Sequence, residues 1–210
     1  MRTSFGVVLL VALFVVTSGA WAGNIPIADN DFTNPTCGAG AGSGANCQPA
    51  AGTWTVTGSA GQNAYSPSQY LTPPDASTQV GWANSQGSLE ETVGTLAANE
   101  IYVLSVEVGS RVNTPPSVTG PVIELIVNGV VAGTATGTIP AAGDWSLYTL
   151  TINSASLSSE VGDSVQVFLG SSTTQTGFSD AELNASPEPA MFALVGVGLL
   201  GLVTRRRFAK

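Results

Sequence analysis

Residues 23–186 predict an all-β fold of two packed sheets, and three observations carry that expectation. The stretch is rich in Thr, Val, Ser and Gly and shows no apolar stripe at helical spacing. Turn-forming residues interrupt it roughly every ten residues, the spacing of short strands in a sandwich. Several intervening segments alternate apolar and polar side chains, which gives a strand one face for a core and one for water.

The candidate strands, in chain order, are 52–57, 78–83, 88–96, 100–109, 122–127 with 130–135, 147–153, 164–170 and 178–184. In 100–109, Tyr102, Leu104, Val106 and Val108 share one face, with Ser105 and Glu107 on the other. Ile123, Leu125 and Val127 oppose Glu124, and Tyr148, Leu150 and Ile152 alternate with Thr149, Thr151 and Asn153. Asn128-Gly129 between two apolar runs is a tight hairpin signal. The prolines of 113–117 and 73–75 read as loops, because proline removes a ladder donor. This strand count suits two sheets of four or five strands in a jelly-roll order.

Both ends of the chain differ from this middle. Met1-Arg2 leads into an almost wholly apolar run over 5–16, followed by Thr17, Ser18, Gly19 and Ala20-Trp21-Ala22. A basic start, an apolar run of this length and a small-x-small ending describe a cleavable signal peptide helix over 1–22, cut after Ala22 with Ala20 and Ala22 as the recognised small residues. At the other end Pro187-Glu188-Pro189 precedes an uncharged apolar run over 190–203, then Arg205, Arg206 and Arg207. Fourteen residues at about 1.5 Å each give about 21 Å of transmembrane helix, extended by snorkelling arginine stems that stay on the cytoplasmic side.

Residues 187–210 resemble the PEP-CTERM sorting signal of Gram-negative bacteria. Pro187, Glu188 and Pro189 match the motif, and the apolar helix and the cluster Arg205, Arg206 and Arg207 follow in order. The resemblance implies that an exosortase, a membrane cysteine transpeptidase or protease, recognises the tail. It also implies a membrane-anchored precursor, a destination at the cell surface or in the extracellular matrix, and an association with exopolysaccharide and biofilm.

Charge narrows the function of the middle. Between the two ends stand thirteen acids and one base, Arg111, a net of −12, with no lysine and no histidine. Nucleic acid is excluded as a partner, since nothing there can replace phosphate counterions. Histidine-based triads, histidine zinc sites and a P-loop are excluded for want of their residues. Cys37 and Cys47 flank a Gly, Ala, Ser and Asn stretch, and in an exported chain their default reading is a disulfide that pins this loop.

The middle also resembles, more weakly, the galactose-binding-like jelly rolls and carbohydrate-binding modules. The features are Asn30-Asp31-Phe32, Gly52-Thr53-Trp54-Thr55-Val56, the stretch 96–106, Gly143-Asp144-Trp145 through Leu150, and Phe178-Ser179-Asp180-Ala181-Glu182-Leu183. The resemblance implies a structural calcium ion tying the first and last strands, with Asp29, Asp31 and Asp180 as candidate ligands. It also implies glycan binding, for which Trp82, Tyr65 and Tyr70 are the candidate stacking platforms because they lie among polar residues. Trp54, Trp145, Tyr102 and Tyr148 are expected in the core.

The only candidates for catalysis are acid pairs. Glu107 and Glu124 fall on strands that could be neighbours, which is what a glycosidase pair would need. Glu90-Glu91 reads as a solvent-facing strand start. With no other catalytic motif, the expectation is a non-enzymatic structural or adhesive surface protein linked to exopolysaccharide. The alternatives are a carbohydrate-binding module and, behind it, a glycoside hydrolase or lyase.

Overall fold

The computed structural model describes residues 23–37, 47–74, 78–113 and 120–188. The leader with Ala20 and Ala22, the loop between the cysteines, and Pro189 with everything after it lie outside the described residues. Among the described residues no helix is long and apolar enough to cross a membrane.

The strands are β1 (Gly23–Ile25), β2 (Thr55–Thr57), β3 (Ala60–Ala64), β4 (Gln79–Ala83), β5 (Ser88–Thr95) and β6 (Glu100–Ser110). They continue with β7 (Pro121–Val127), β8 (Val130–Thr134), β9 (Thr136–Gly137), β10 (Trp145–Asn153), β11 (Ser164–Ser171) and β12 (Thr176–Pro187). One sheet runs β3-β4-β12-β6-β10-β9, with β1 also paired to β12. The other runs β2-β5-β11-β7-β8. Every named pairing is antiparallel. We call them the first and second sheets. The expected two-sheet β-sandwich is therefore the fold, with chain order far from spatial order, as a jelly roll requires.

The core lies where the alternation puts it. Tyr102, Leu104, Val106 and Val108 from β6 meet Ile123, Leu125 and Val127 from β7 and Val165, Val167 and Leu169 from β11, all buried. Burying such a side chain stabilises by about 1.5–3 kcal/mol each before chain entropy is subtracted, so this inner layer dominates the fold. At the Asn128-Gly129 turn both residues take positive φ, 52° and 75°, as a two-residue hairpin demands.

Three strands escaped the sequence. The β3 segment Ala-Gly-Gln-Asn-Ala has little strand propensity, yet it pairs along its whole length with β4. β1 and β9 have three and two residues, too short for a periodic signal. A 3-10 stretch over Ser154–Glu160, capped by the Asn153 side chain on Ala155 N, also went unforeseen.

The excursion between β1 and β2 is stapled to the sandwich. Phe32 is fully buried and stacks on Trp54 with ring centroids 5.3 Å apart. It lies across β4 at Gly81, where a Cβ would come within 2.6 Å of its ring. Cys37 and Cys47 form the expected disulfide, Cα atoms 5.8 Å apart. The buried amides of Gln62 and Gln79 hold the segment from below. Gln62 Nε2 donates to Pro35 O at 2.8 Å, Gln79 Nε2 donates to Phe32 O at 2.7 Å, and Cys37 N donates to Gln79 Oε1.

Candidate functional site

Among the described residues, the outer face of the first sheet, away from the core, carries the most site-like construction. Strand register places Trp145 opposite Gly109, Gly109 opposite Gly177, Gly177 opposite Trp82, and Trp82 opposite Gly61. One row thus crosses five strands and sets two indole rings among three glycines. A Cβ on Gly109 would meet the Trp145 ring at 2.7 Å, so the indole lies flat over that glycine. Glycine inside a strand often marks such a close approach.

The segment 65–74 straps this face. Tyr70 is buried, its hydroxyl poised over Gly177, where a Cβ would come within 2.4 Å. Its ring lies 4.9 Å from that of Trp145. The strap is bonded at both ends. Leu71 N donates to Gly143 O at 2.8 Å, Trp145 Nε1 to Thr72 O at 3.0 Å, Val112 N to Gln69 O at 2.8 Å, and Tyr65 OH to Tyr70 O at 3.2 Å. Burial pushes the Tyr70 phenol well above its ordinary pKa, against the smaller opposite effect of Arg111.

The next row holds polar groups. Leu147 stands opposite Glu107, Glu107 opposite Ser179, and Asn63 opposite Val80 on the neighbouring pair. Trp82 Nε1, Ser179 Oγ and Asn63 Oδ1 are all buried without a hydrogen-bond partner. Such a group ordinarily costs about 1–3 kcal/mol, so three on one face point to a polar occupant. Beside them a groove of about 420 Å³ is lined by Thr72, Pro73, Pro74, Glu107, Asp144 and Trp145. It joins one aromatic wall to two carboxylates.

A second cluster sits where the loop after β1 meets β5 and β12. Asp29, at φ 55°, accepts from Asn34 N at 2.7 Å through Oδ1, while its Oδ2 is buried without a partner. Glu91 accepts from Ala28 N at 2.7 Å through Oε1, and its Oε2 is likewise buried and unpartnered. Burial raises the Asp29 carboxyl to about 6, with the Asp31 charge adding to it and the Asn34 N–H opposing. Burial also raises Glu91; the Ala28 N–H opposes this and the charge of Asp29 adds to it. Ala181 N donates to Asn30 O at 3.0 Å, which brings Asp180, at φ 46° in a bulge of β12, beside the same loop.

Several expectations change. Glu107 and Glu124 belong to different sheets, on the outer faces of opposite sides of the sandwich, because β6 and β7 part at the loop between them. They form no acid pair. Glu91 is buried, not solvent-facing, since it shares the inward parity of Leu89. Trp82 and Tyr70 are buried and so are not open stacking platforms, while Tyr65 is half-buried. Trp145 lines the groove instead of the core, whereas Trp54, Tyr102 and Tyr148 are core residues as expected. Among the described residues, no three carboxylates or thiolates converge as a ready metal cage, so Asp29, Asp31 and Asp180 are not such a cage. Glu91 was the missed partner of Asp29.

No curated protein matches the chain. Among solved structures, a cyclase from Fischerella sp. TAU superposes with a TM-score of 0.63 at 18% identity, over 80% of this chain and 99% of that one. A Stig cyclase from the same source, in complex with (3Z)-3-(1-methyl-2-pyrrolidinylidene)-3H-indole, gives 0.65 at 18% identity, over 80% of this chain and 100% of that one. A further Fischerella cyclase, in complex with 4-(1H-indol-3-yl)butan-2-one, gives 0.62 at 17% identity, over 79% of this chain and 98% of that one. At such identity these likenesses establish the fold. The PEP-CTERM protein-sorting motif matches residues 187–207, which makes the chain an exported substrate of an exosortase. The family model described as HpiC1 cyclase matches residues 23–184. That match overturns the expectation of a non-enzymatic protein: the chain belongs to the HpiC1-like cyclase family.

Proposed function

We propose that this chain is an exported enzyme of cyclase type, and that its site is the strapped outer face of the first sheet. The observation that carries the proposal is the set of three unpartnered buried polar atoms, Trp82 Nε1, Ser179 Oγ and Asn63 Oδ1, on the face that also presents Glu107. The Trp145 ring, backed by the buried ring of Tyr70, gives the groove an aromatic wall that suits a compact ring-bearing substrate, and the polar atoms lie beside it. Glu107 and Asp144 are the carboxylates in reach of the groove, and acid–base assistance of a ring closure is the chemistry they can supply. Indole-bearing molecules, like those bound in two of the Fischerella structures, are the first probes.

The test is quenching of tryptophan fluorescence in the detergent-solubilised full chain by 4-(1H-indol-3-yl)butan-2-one and related indoles. Saturable binding in the wild type, weakened in Ser179→Ala with no loss of melting temperature, supports the site. Equal affinity in both, or no saturable binding in the wild type, overturns it.

A structural calcium ion is part of this reading. Asp29 Oδ2 and Glu91 Oε2 are the oxygens that would hold it, with Asp31 and Asp180 beside the same loop. Two repelling carboxylates, each with one buried oxygen left over, suit a hard divalent cation. The ion would tie the segment after β1 to β5 and β12. It would be structural, and no step of the chemistry is assigned to it.

The cell-surface setting follows from the sorting motif. We assign residues 1–22 to the cleaved leader and 190–203 to the anchor of the precursor in a Gram-negative envelope. Burial of Trp82 and Tyr70 argues against a polysaccharide stacking on them.

A further inference from the structure

The sorting motif does not hang on a linker; it begins inside the last strand. Pro187 is the final residue of β12 and stands opposite Glu100 of β6, with Ser186 opposite Ile101. The ladder continues one step further, since Glu188 N donates to Asn99 O at 3.0 Å. Glu188 Oε1, on the central residue of the motif, is buried without a partner. On its other edge β12 is paired by β1, with Gly23 opposite Ala185 and Ile25 opposite Leu183. The start of the domain and the sorting motif therefore share one pole of the sandwich. In the sequence the apolar run begins at Ala190, directly after Pro189.

A peptide bond near Glu188 cannot enter the cleft of a membrane enzyme while its strand is paired. Extended substrate and folded edge compete for the same backbone groups. The strand end is built to yield. Leu183 is the last fully buried side chain of β12, and residues 184–188 are all only half-buried. Pro187 gives the ladder no N–H, and β1 covers just three residues. Ends with few buried contacts and few backbone bonds open locally far more often than the domain unfolds.

We propose that local release of residues 184–188 from β6 and β1 is the step that admits the sorting enzyme to Glu188. The folded sandwich thus holds its own sorting signal in a paired, unreadable state, and opening of the strand end sets the rate of tail processing. The proposal rests on the reading of the tail as a sorting substrate.

The experiment follows tail loss by intact mass after pulse labelling of the full precursor in a host that carries its sorting enzyme. Ile101→Cys with Ser186→Cys, at directly opposed positions, locks the strand end by a cross-strand disulfide, itself confirmed by mass. A short Gly-Ser insertion between Ser186 and Pro187 lifts the motif out of the ladder. Processing is expected to slow about tenfold or more in the locked variant and to quicken in the linker variant, as an opening-limited step requires. Either a locked variant processed at the wild-type rate or a linker variant no faster than the wild type overturns the gate. A wild-type chain that keeps its tail in that host removes the sorting premise, and the gate with it; normal tail loss with no response to either variant sinks the gate alone.

Discussion

Ser179 of β12 and Glu107 of β6 stand directly opposite each other on the outer face of the first sheet, a buried unpartnered hydroxyl facing a half-buried carboxylate. This pair is where the polar row of the site meets its groove. It yields a stability prediction that does not depend on knowing the substrate. Ser179→Ala removes an unsatisfied buried hydroxyl, so the ligand-free protein should gain about 1 kcal/mol in urea unfolding. A loss of similar size would mean that the hydroxyl is bonded in solution.

Glu107→Gln separates charge from shape. The amide keeps the volume and hydrogen-bonding reach of the side chain but cannot exchange a proton at neutral pH. Turnover of any substrate found for the groove should fall by about 100-fold, with KM changed much less. A proportionate rise in KM with kcat intact would reassign Glu107 to binding alone.

The strap can be tested through the glycine beneath it. Gly177→Ala sets a methyl group against the Tyr70 hydroxyl, where only 2.4 Å is available. Overpacking of this kind costs about 1–3 kcal/mol. Because the clash is with one side chain, Tyr70→Phe in the same background should recover part of the loss. Additive effects of the two substitutions in thermal unfolding would show that the strap does not press on Gly177.

Stability should depend on pH in opposite senses with and without calcium. Asp29 and Glu91 have raised carboxyl pKa values in the metal-free fold, Asp29 to about 6. A raised folded-state pKa means that the folded protein binds protons more tightly than the unfolded chain. The resulting stabilisation is present below the unfolded values and is lost as pH rises through the folded ones, toward and past 6. In chelator the melting temperature should thus drop across this window. Added calcium should favour the ionised forms and reverse the trend. Glu91→Gln should flatten both curves, and a wild-type melting temperature indifferent to calcium would count against the site.

Replacing Cys37 and Cys47 by Ser should cost about 2–3 kcal/mol in equilibrium unfolding, the range for so short a closed loop. The bridge anchors the segment that carries Phe32 and Asp29, so any calcium-dependent shift in melting temperature should shrink in the same variant. An unchanged shift would show that Gln62 and Gln79 hold that segment without the bridge.

Much of the architecture was legible in the sequence. The alternation of Tyr102 to Val108, the Asn128-Gly129 turn, the two cysteines and the Pro187-Glu188 motif each express a local rule, and each appears in the fold or the family matches. The site was harder to see. Trp82 and Tyr70 lie among polar residues in sequence and read as exposed, but the fold buries both. Glu91 read as a solvent-facing acid because its neighbour Glu90 masked the inward parity it shares with Leu89. Gly109 and Gly177 were the one available signal, small residues inside strand patterns where a ring could approach the backbone.

Sequence by itself determined the β class, the C-terminal sorting motif and the acidic, histidine-free composition, because each depends on composition or on neighbours a few residues apart. Tertiary structure alone decided that Glu107 joins Ser179 rather than Glu124, that Asp29 meets Glu91, and that the sorting motif is the end of a strand. Those pairings join residues far apart in the chain. They are selected by which strands share a sheet, a consequence of burying all the apolar faces at once that no local pattern encodes.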